Sequence, residues 1–251
     1  MKNFNLTLRL LISSLVLLGA CTPMNERVAP TSQNIDISIL AFNDLHGNLE
    51  PPNLSIRERI DGKVKEVPAG GAAYLAAAIQ HYKKANPLHA VVSAGDMIGA
   101  SPLTSGLFLD EPTIEAVNAM GIDFNAVGNH EFDKGSAELL RMRKGGCEKL
   151  TRIAPCQLNP QFSGANFEFL AANVKQADQS TLFPAFGIKS FQQGGQIVKV
   201  GFVGMTLKAT PSLVTPDGIK GLRFEDEAAT ANALVPTLKA QGANVLVLVI
   251  H

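Results

Sequence analysis

Tryptophan is absent from the 251 residues and tyrosine occurs only at Tyr74 and Tyr82, so any aromatic stacking surface must come from phenylalanine. Neither sign of charge is in excess. Against 22 basic side chains stand 22 acidic ones, which removes the electrostatic signature of a nucleic-acid arm or of a binder of acidic membranes. Only three cysteines are present, too few for a disulfide scaffold, and no apolar run reaches the roughly 20 residues that a membrane-spanning helix needs. Internal repeats and low-complexity tracts are also missing. What is there is an apolar content of 46%, enough to bury the core of one large α/β domain or of two small ones.

Lys2 and Arg9 precede an uncharged run at residues 10–20 (LLISSLVLLGA) that stops at Cys21. This is the layout of a secretory signal, too short to span a bilayer. Leu18-Gly19-Ala20-Cys21 resembles a bacterial lipobox, in which cleavage leaves a diacylated cysteine at the new N-terminus. A buried N-terminal helix is the alternative, but it leaves the polar stretch TPMNERVAPTSQN unexplained. We therefore expect a signal peptide at 1–20, a lipidated Cys21 with a tether at 21–34, and a folded domain at 35–251. The expected location is the periplasm or cell surface, with the lipid as the membrane anchor. In such an oxidising compartment Cys147 and Cys156 are expected to form a disulfide, since no His or third Cys lies nearby to complete a zinc site. Two free buried thiols are the alternative.

From residue 35 onward, short apolar runs alternate with amphipathic stretches, the pattern of an α/β sheet. Strands are expected at 35–42, 90–94, 124–127, 167–171, 196–205 and 244–250, and helices at 71–84, 112–120, 136–143 and 226–240. Pro112 suits a first helical turn and Gly121 a C-terminal cap, while Pro236 should kink the last helix or mark its start. The run FGIKSF, followed by Gln-Gln-Gly-Gly and the next strand, reads as an antiparallel hairpin.

Four of the apolar strands end in metal-ligand residues: Asn43-Asp44-Leu45-His46, Gly95-Asp96, Gly128-Asn129-His130-Glu131 and His251. Ligands in open α/β sheets gather at the carboxyl ends of strands, so these groups should meet in one crevice. Singly, each has an ordinary explanation as a turn residue or a helix cap. Together they make a carboxylate, imidazole and amide set without thiolate, which suits Mn, Zn, Fe, Co, Mg or Ca. Asn173 either faces the same crevice or closes a strand-ending turn. His81, His89, Arg141 and Arg143 are expected at the solvated surface, and so is Glu131, with a supporting role behind the ligands as its alternative.

In their order, Asp44-x-His46, Gly95-Asp96 and Gly128-Asn129-His130-Glu131 resemble the first three signatures of the calcineurin-like metallophosphoesterases. The fuller strings AFNDLHGNLE, GGAAYLAAAI, SAGDMIGASP, AVGNHEFD and AANV are similar to the secreted 5′-nucleotidase and 2′,3′-cyclic-nucleotide phosphodiesterase branch. The resemblance implies a mixed-sheet α/β sandwich with flanking helices and two divalent metal ions (Mn, Zn, Co, Mg or Ca). Asp44 and His46 would hold the first metal, Asp96 would bridge both, and Asn129 and His251 would hold the second. His130, oriented by Asp133, would be the catalytic histidine. The implied reaction is hydrolysis of phosphate esters by a metal-activated water, on 5′-nucleotides above all and also on 2′,3′-cyclic nucleotides or nucleotide sugars.

The family pattern continues, after the strand ending in His251, with a Gly-His-x-His or Gly-His-x-Gln segment and a C-terminal domain that carries the nucleoside-recognising residues. Neither lies within these 251 residues. The resemblance thus implies a domain whose C-terminal part is missing, one protein ligand short at each metal, and weak or no hydrolysis by residues 22–251 alone. The competing expectation is a non-catalytic surface lipoprotein or metal-binding remnant.

Overall fold

The computed structural model describes residues 34–52 and 54–251. The signal, Cys21 and the tether up to residue 33 lie outside the described residues.

The strands and helices follow in chain order. They are β1 (Ser38–Phe42), β2 (Leu54–Ile60), β3 (Lys63–Ala69), α1 (Ala72–Ala85), β4 (His89–Ser93), α2 (Leu103–Gly106), α3 (Glu111–Met120), β5 (Phe124–Ala126) and α4 (Ser136–Lys144). Then come β6 (Glu168–Leu170), β7 (Val174–Lys175), β8 (Phe186–Gln193), β9 (Gln196–Met205), β10 (Arg223–Phe224), α5 (Glu227–Ala240) and β11 (Val245–Ile250).

Two sheets carry the fold. The first, in the order β1-β4-β5-β6, is all parallel, and its central strands β4 and β5 are almost wholly buried, as parallel strands covered on both faces must be. The second, in the order β11-β9-β8, mixes a parallel pair with the antiparallel β8–β9 hairpin, whose turn residues Gly194 and Gly195 both have positive φ. Between the sheets lie Val92, Phe124, Ala126 and Leu170 from one and Phe191, Phe202 and Val249 from the other. On the outer face of the first sheet, Val91 and Phe169 pack with Ile79 of α1, Ile114 and Val117 of α3, and Leu139 of α4. On the outer face of the second, Val203 packs with Leu238 of α5. The expected sandwich with flanking helices is what forms.

Several local expectations need revision. Arg141 is not a solvated residue: it is 4% exposed, bonded to Glu138 at 2.6 Å and to Glu111 at 2.8 Å, because the two carboxylates of α3 and α4 need a cation between them once buried. Arg143 is half-buried and paired with Glu168. His89 opens β4, its Nδ1 2.8 Å from the Asn86 carbonyl, whereas His81 is exposed. The helix at α5 runs through Pro236 from an Asp226 cap, so Pro236 does not mark its start. The β2–β3 hairpin was not foreseen. Its residues are mostly exposed on both faces, so it lacks the apolar alternation that marks a half-buried strand, and only the Asp61-Gly62 turn betrays it.

Candidate active site

The loops after β1 and β4 remain paired beyond the strands. Asp44 N donates to Gly95 O, His46 N to Asp96 O and Gly47 N to Met97 O, at 3.0 to 3.1 Å. This ladder is kept while Asp44, His46 and Asp96 all take left-handed backbone, with φ of 54°, 45° and 51°. Such values are uncommon outside glycine and cluster where a site needs them. The turn after β5 is drawn equally close. A Cβ added at Gly128 would sit 2.6 Å from the Asp96 nitrogen and would collide with its carboxylate.

Asp96 is the centre. Its Oδ2 lies 3.0 Å from His251 Nε2 and 3.7 Å from His46 Nε2, and its Oδ1 accepts from His130 N at 2.9 Å. Asp44 Oδ1 stands 3.3 Å from His46 Nε2 and 3.9 Å from His251 Nε2. Ligand atoms of Asp44, His46 and Asp96 all fall within 4.8 Å of one another. Each flanking histidine is turned by a backbone carbonyl: His46 Nδ1 donates to Gly99 O at 2.9 Å and His251 Nδ1 to Ala94 O at 2.7 Å. That choice of tautomer points both Nε2 atoms at the carboxylates, as metal-binding imidazoles require. Asn129 lies half-buried between Gly128 and His130. His130 sits edge-on to His46 with ring centroids 5.0 Å apart, and its Nδ1 donates to Asp133 Oδ2 at 2.9 Å.

The electrostatics follow from this packing. Burial opposes the ionised form of Asp96, but hydrogen bonds from His251 and the His130 backbone outweigh it and hold the carboxyl below its ordinary value. The same bond to Asp96 pushes His251 up to about 9. Burial works against the His130 cation, yet the hydrogen bond and charge of Asp133 win and raise it.

The profile of the family described as calcineurin-like phosphoesterase matches residues 37–251. The chain belongs to that family. Among its relatives is the uncharacterized protein in the pqq-V 5′ region of Acinetobacter calcoaceticus, 49% identical over 201 residues that make up 76% of this chain and 98% of the relative. Cell wall protein Lmo0130 of Listeria monocytogenes is 32% identical over 261 residues, covering 100% of this chain and 32% of that one. The solved NAD nucleotidase of Haemophilus influenzae superposes with a TM-score of 0.62 at 27% identity, over 86% of this chain and 34% of its own. The chain thus spans nearly the whole of the first relative and about a third of the other two.

A calcineurin-like phosphoesterase uses divalent metals, and the donor set present here fits them: carboxylate and imidazole atoms converge, and no thiolate competes. Two readings of the sequence change within this frame. Glu131 is 2% exposed and is no surface residue. Its Oε2 accepts from Asp96 N at 2.9 Å and Gly128 N at 2.7 Å, and its Oε1 from Met97 N at 2.9 Å, so it holds the Asp96 turn from behind. Burial and the Asp96 charge push its carboxyl up to about 7. Asn173 is buried and bonds both backbone groups of Thr206 and the Glu225 carbonyl, which makes it a clamp between loops.

Sequence reasoning missed a support behind these residues. Buried Asp110 accepts from Lys134 Nζ at 2.6 Å and from Gly99 N at 3.3 Å. The Gly99 carbonyl turns His46, and the next amide, Ala100 N, donates to Asp133 Oδ2 at 3.0 Å. No motif spacing marks Asp110, because its charged partner Lys134 lies 24 positions away and its link to the site runs through the Gly99 amide. Cys147 and Cys156 are joined as a disulfide with Cα atoms 5.6 Å apart.

Proposed function

We propose that this protein hydrolyses phosphate monoesters of small nucleotides, with Asp44 and His46 at one divalent metal, Asn129 and His251 at a second, and Asp96 shared between them. The observation that carries the reading is the position of Asp96, whose two carboxylate oxygens face His46, His251 and the His130 backbone at once. Divalent ions held there would supply Lewis acidity toward the phosphate oxygens and acidify a water nucleophile. In the hydrolysis, water adds to phosphorus, the ester P–O bond breaks and the leaving oxygen takes up a proton. His130 is the group built to provide that proton: Asp133 fixes its ring through Nδ1 and favours its cation. The nucleotide as substrate is supported by the likeness to the Haemophilus NAD nucleotidase.

Turnover of AMP and of an aryl phosphate, with Mn, Co or Zn supplied, tests the reading. Asp96→Asn is expected to lower both metal occupancy and rate, because the shared charge is lost, while His130→Ala lowers the rate about 100-fold or more with metal retained. Metal binding by the protein isolated from its host, without turnover of any phosphoester, would transfer the conclusion to a metal-binding lipoprotein without catalysis.

Export with lipid attachment at Cys21 is part of the proposal. It is supported by the residues 10–20 signal layout and by the likeness to a cell wall protein. Intact mass of the mature protein from its host decides it.

A further inference from the structure

The hydrolysis above gives no part to Asp110, a fully buried carboxylate on left-handed backbone with φ of 66°. Both its oxygens are nevertheless engaged. Oδ1 accepts from Ser105 Oγ at 2.8 Å, while Oδ2 accepts from Lys134 Nζ at 2.6 Å and from Gly99 N at 3.3 Å. The last two partners come from different segments of the site: Gly99 follows Asp96 in the loop after β4, and Lys134 directly follows Asp133. Between the two histidines stands the peptide group that joins Gly99 to Ala100. Its carbonyl accepts from His46 Nδ1 at 2.9 Å. Its N–H donates at 3.0 Å to Asp133 Oδ2, the same oxygen that accepts from His130 Nδ1 at 2.9 Å. A trans peptide points its C=O and N–H in opposite directions, so one rigid plane sets both rings. No side chain fits at Gly99, where φ is +86° and a Cβ would collide with the His130 carbonyl and lie 2.8 Å from Asp133 Oδ2.

We propose that Asp110 is a positioning residue for the reaction: by holding the Gly99 amide and the Lys134 ammonium on one oxygen, it fixes the peptide that aims His46 at its metal and, through Asp133, His130 at the leaving oxygen. This role rests on the hydrolase reading above and adds to it a link between metal binding and proton delivery. Burial makes the link stiff, since release of either partner would leave a charge or an amide unpaired away from water. Stiffness matters here because a misplacement of about 1 Å in a reacting group costs about 100-fold in rate. Asp110 itself touches neither metal ligand nor catalytic histidine. Its influence passes through the Gly99–Ala100 peptide, so His46 and His130 should respond together when it is changed. His251, turned instead by the Ala94 carbonyl, should not respond.

The test uses the full chain with Asp110→Asn, which keeps the size and loses the charge, and with Lys134→Met, at a side chain that is 25% exposed. Both are compared with wild type below the temperature at which circular dichroism shows any unfolding, so loss of fold does not enter. In protein carrying isotope-labelled histidine, the Nδ1–H signals of His46 and His130 are expected to shift or vanish together in both variants, with that of His251 unmoved. This measurement needs neither metal nor turnover. Calorimetric affinity for Mn should fall about tenfold. At saturating Mn, kcat for AMP should fall about 30-fold, but less than about fivefold for dinitrophenyl phosphate, whose leaving oxygen departs without a proton. A merely structural role gives equal losses on the two esters, and that result would overturn the proposal, as would unmoved His46 and His130 signals or a His251 signal that moves with them. Wild type that hydrolyses neither ester removes the hydrolase reading alone: signals that move together with weaker Mn binding still support the positioning role, and unmoved signals still overturn it.

Discussion

Replacing Glu131 by alanine tests whether the Asp96 turn is held from behind. The substitution strips the acceptor from three buried N–H groups, those of Asp96, Met97 and Gly128, and each orphaned donor costs about 1–3 kcal/mol. Part of that loss is returned, because a carboxyl pushed up to about 7 is ionised at neutral pH against a cost of about 3 kcal/mol, which alanine does not carry. A net loss of about 3 kcal/mol remains, equivalent to a fall of about 1 M in the urea midpoint at an unchanged slope near 3 kcal/mol/M. Glu131→Gln keeps one oxygen for the Asp96 and Gly128 amides but turns an amide NH2 toward Met97 N, so it should lose about 1–2 kcal/mol. Urea unfolding at pH 7.5 followed by circular dichroism measures both. An alanine variant within 1 kcal/mol of wild type would refute the reasoning, since the three amides would then have other partners.

The Asp110–Lys134 pair makes stability depend on acid. Burial raises Asp110, but the charge and hydrogen bond of Lys134 outweigh it, so the folded carboxyl titrates below its ordinary value; its contribution is complete above about pH 4 and fades as pH falls through the folded value. Denaturation between pH 3 and 7 should therefore show Asp110→Asn less stable at pH 7 and losing less on acidification than wild type, and parallel curves would contradict this. Arg141→Met leaves Glu111 and Glu138 buried without their cation and is expected to cost about 3–5 kcal/mol at pH 7, read as a lower melting temperature. The same variant should let protease cut residues 147–155 faster than in wild type, because Arg141 also holds the Gly146 carbonyl.

The principal strands and helices of the sandwich were legible in the sequence because they bury one face or two and so write their period into the apolar pattern. The crevice was legible because its ligands follow those strands directly. Other features were hidden for identifiable reasons. Glu131 acts through backbone amides and has no partner side chain whose spacing would reveal it, while Asp110 meets Lys134 24 positions away and reaches the site only through the Gly99 amide. Arg141 and Arg143 lie two positions apart on α4, and a charged residue on an amphipathic helix reads as solvated until its partner from another element is known; here the partners are Glu111 of α3 for Arg141 and Glu168 of β6 for Arg143. The β2–β3 hairpin rests on its turn and its pairing, and neither leaves a hydrophobic period.

The left-handed backbone at Asp44, His46 and Asp96 restricts how this site can drift over evolutionary time. Aspartate, asparagine and histidine tolerate that conformation better than other residues with a side chain. Glutamate, the nearest match in charge to Asp96, would have to strain the turn, whereas asparagine fits it with no more strain than aspartate and without the charge. Loss of activity is then an easier step than redesign. A lineage that abandons the chemistry is expected to keep the fold, the turns and the crevice, and to carry asparagine at positions 44 or 96 as the trace of what was lost.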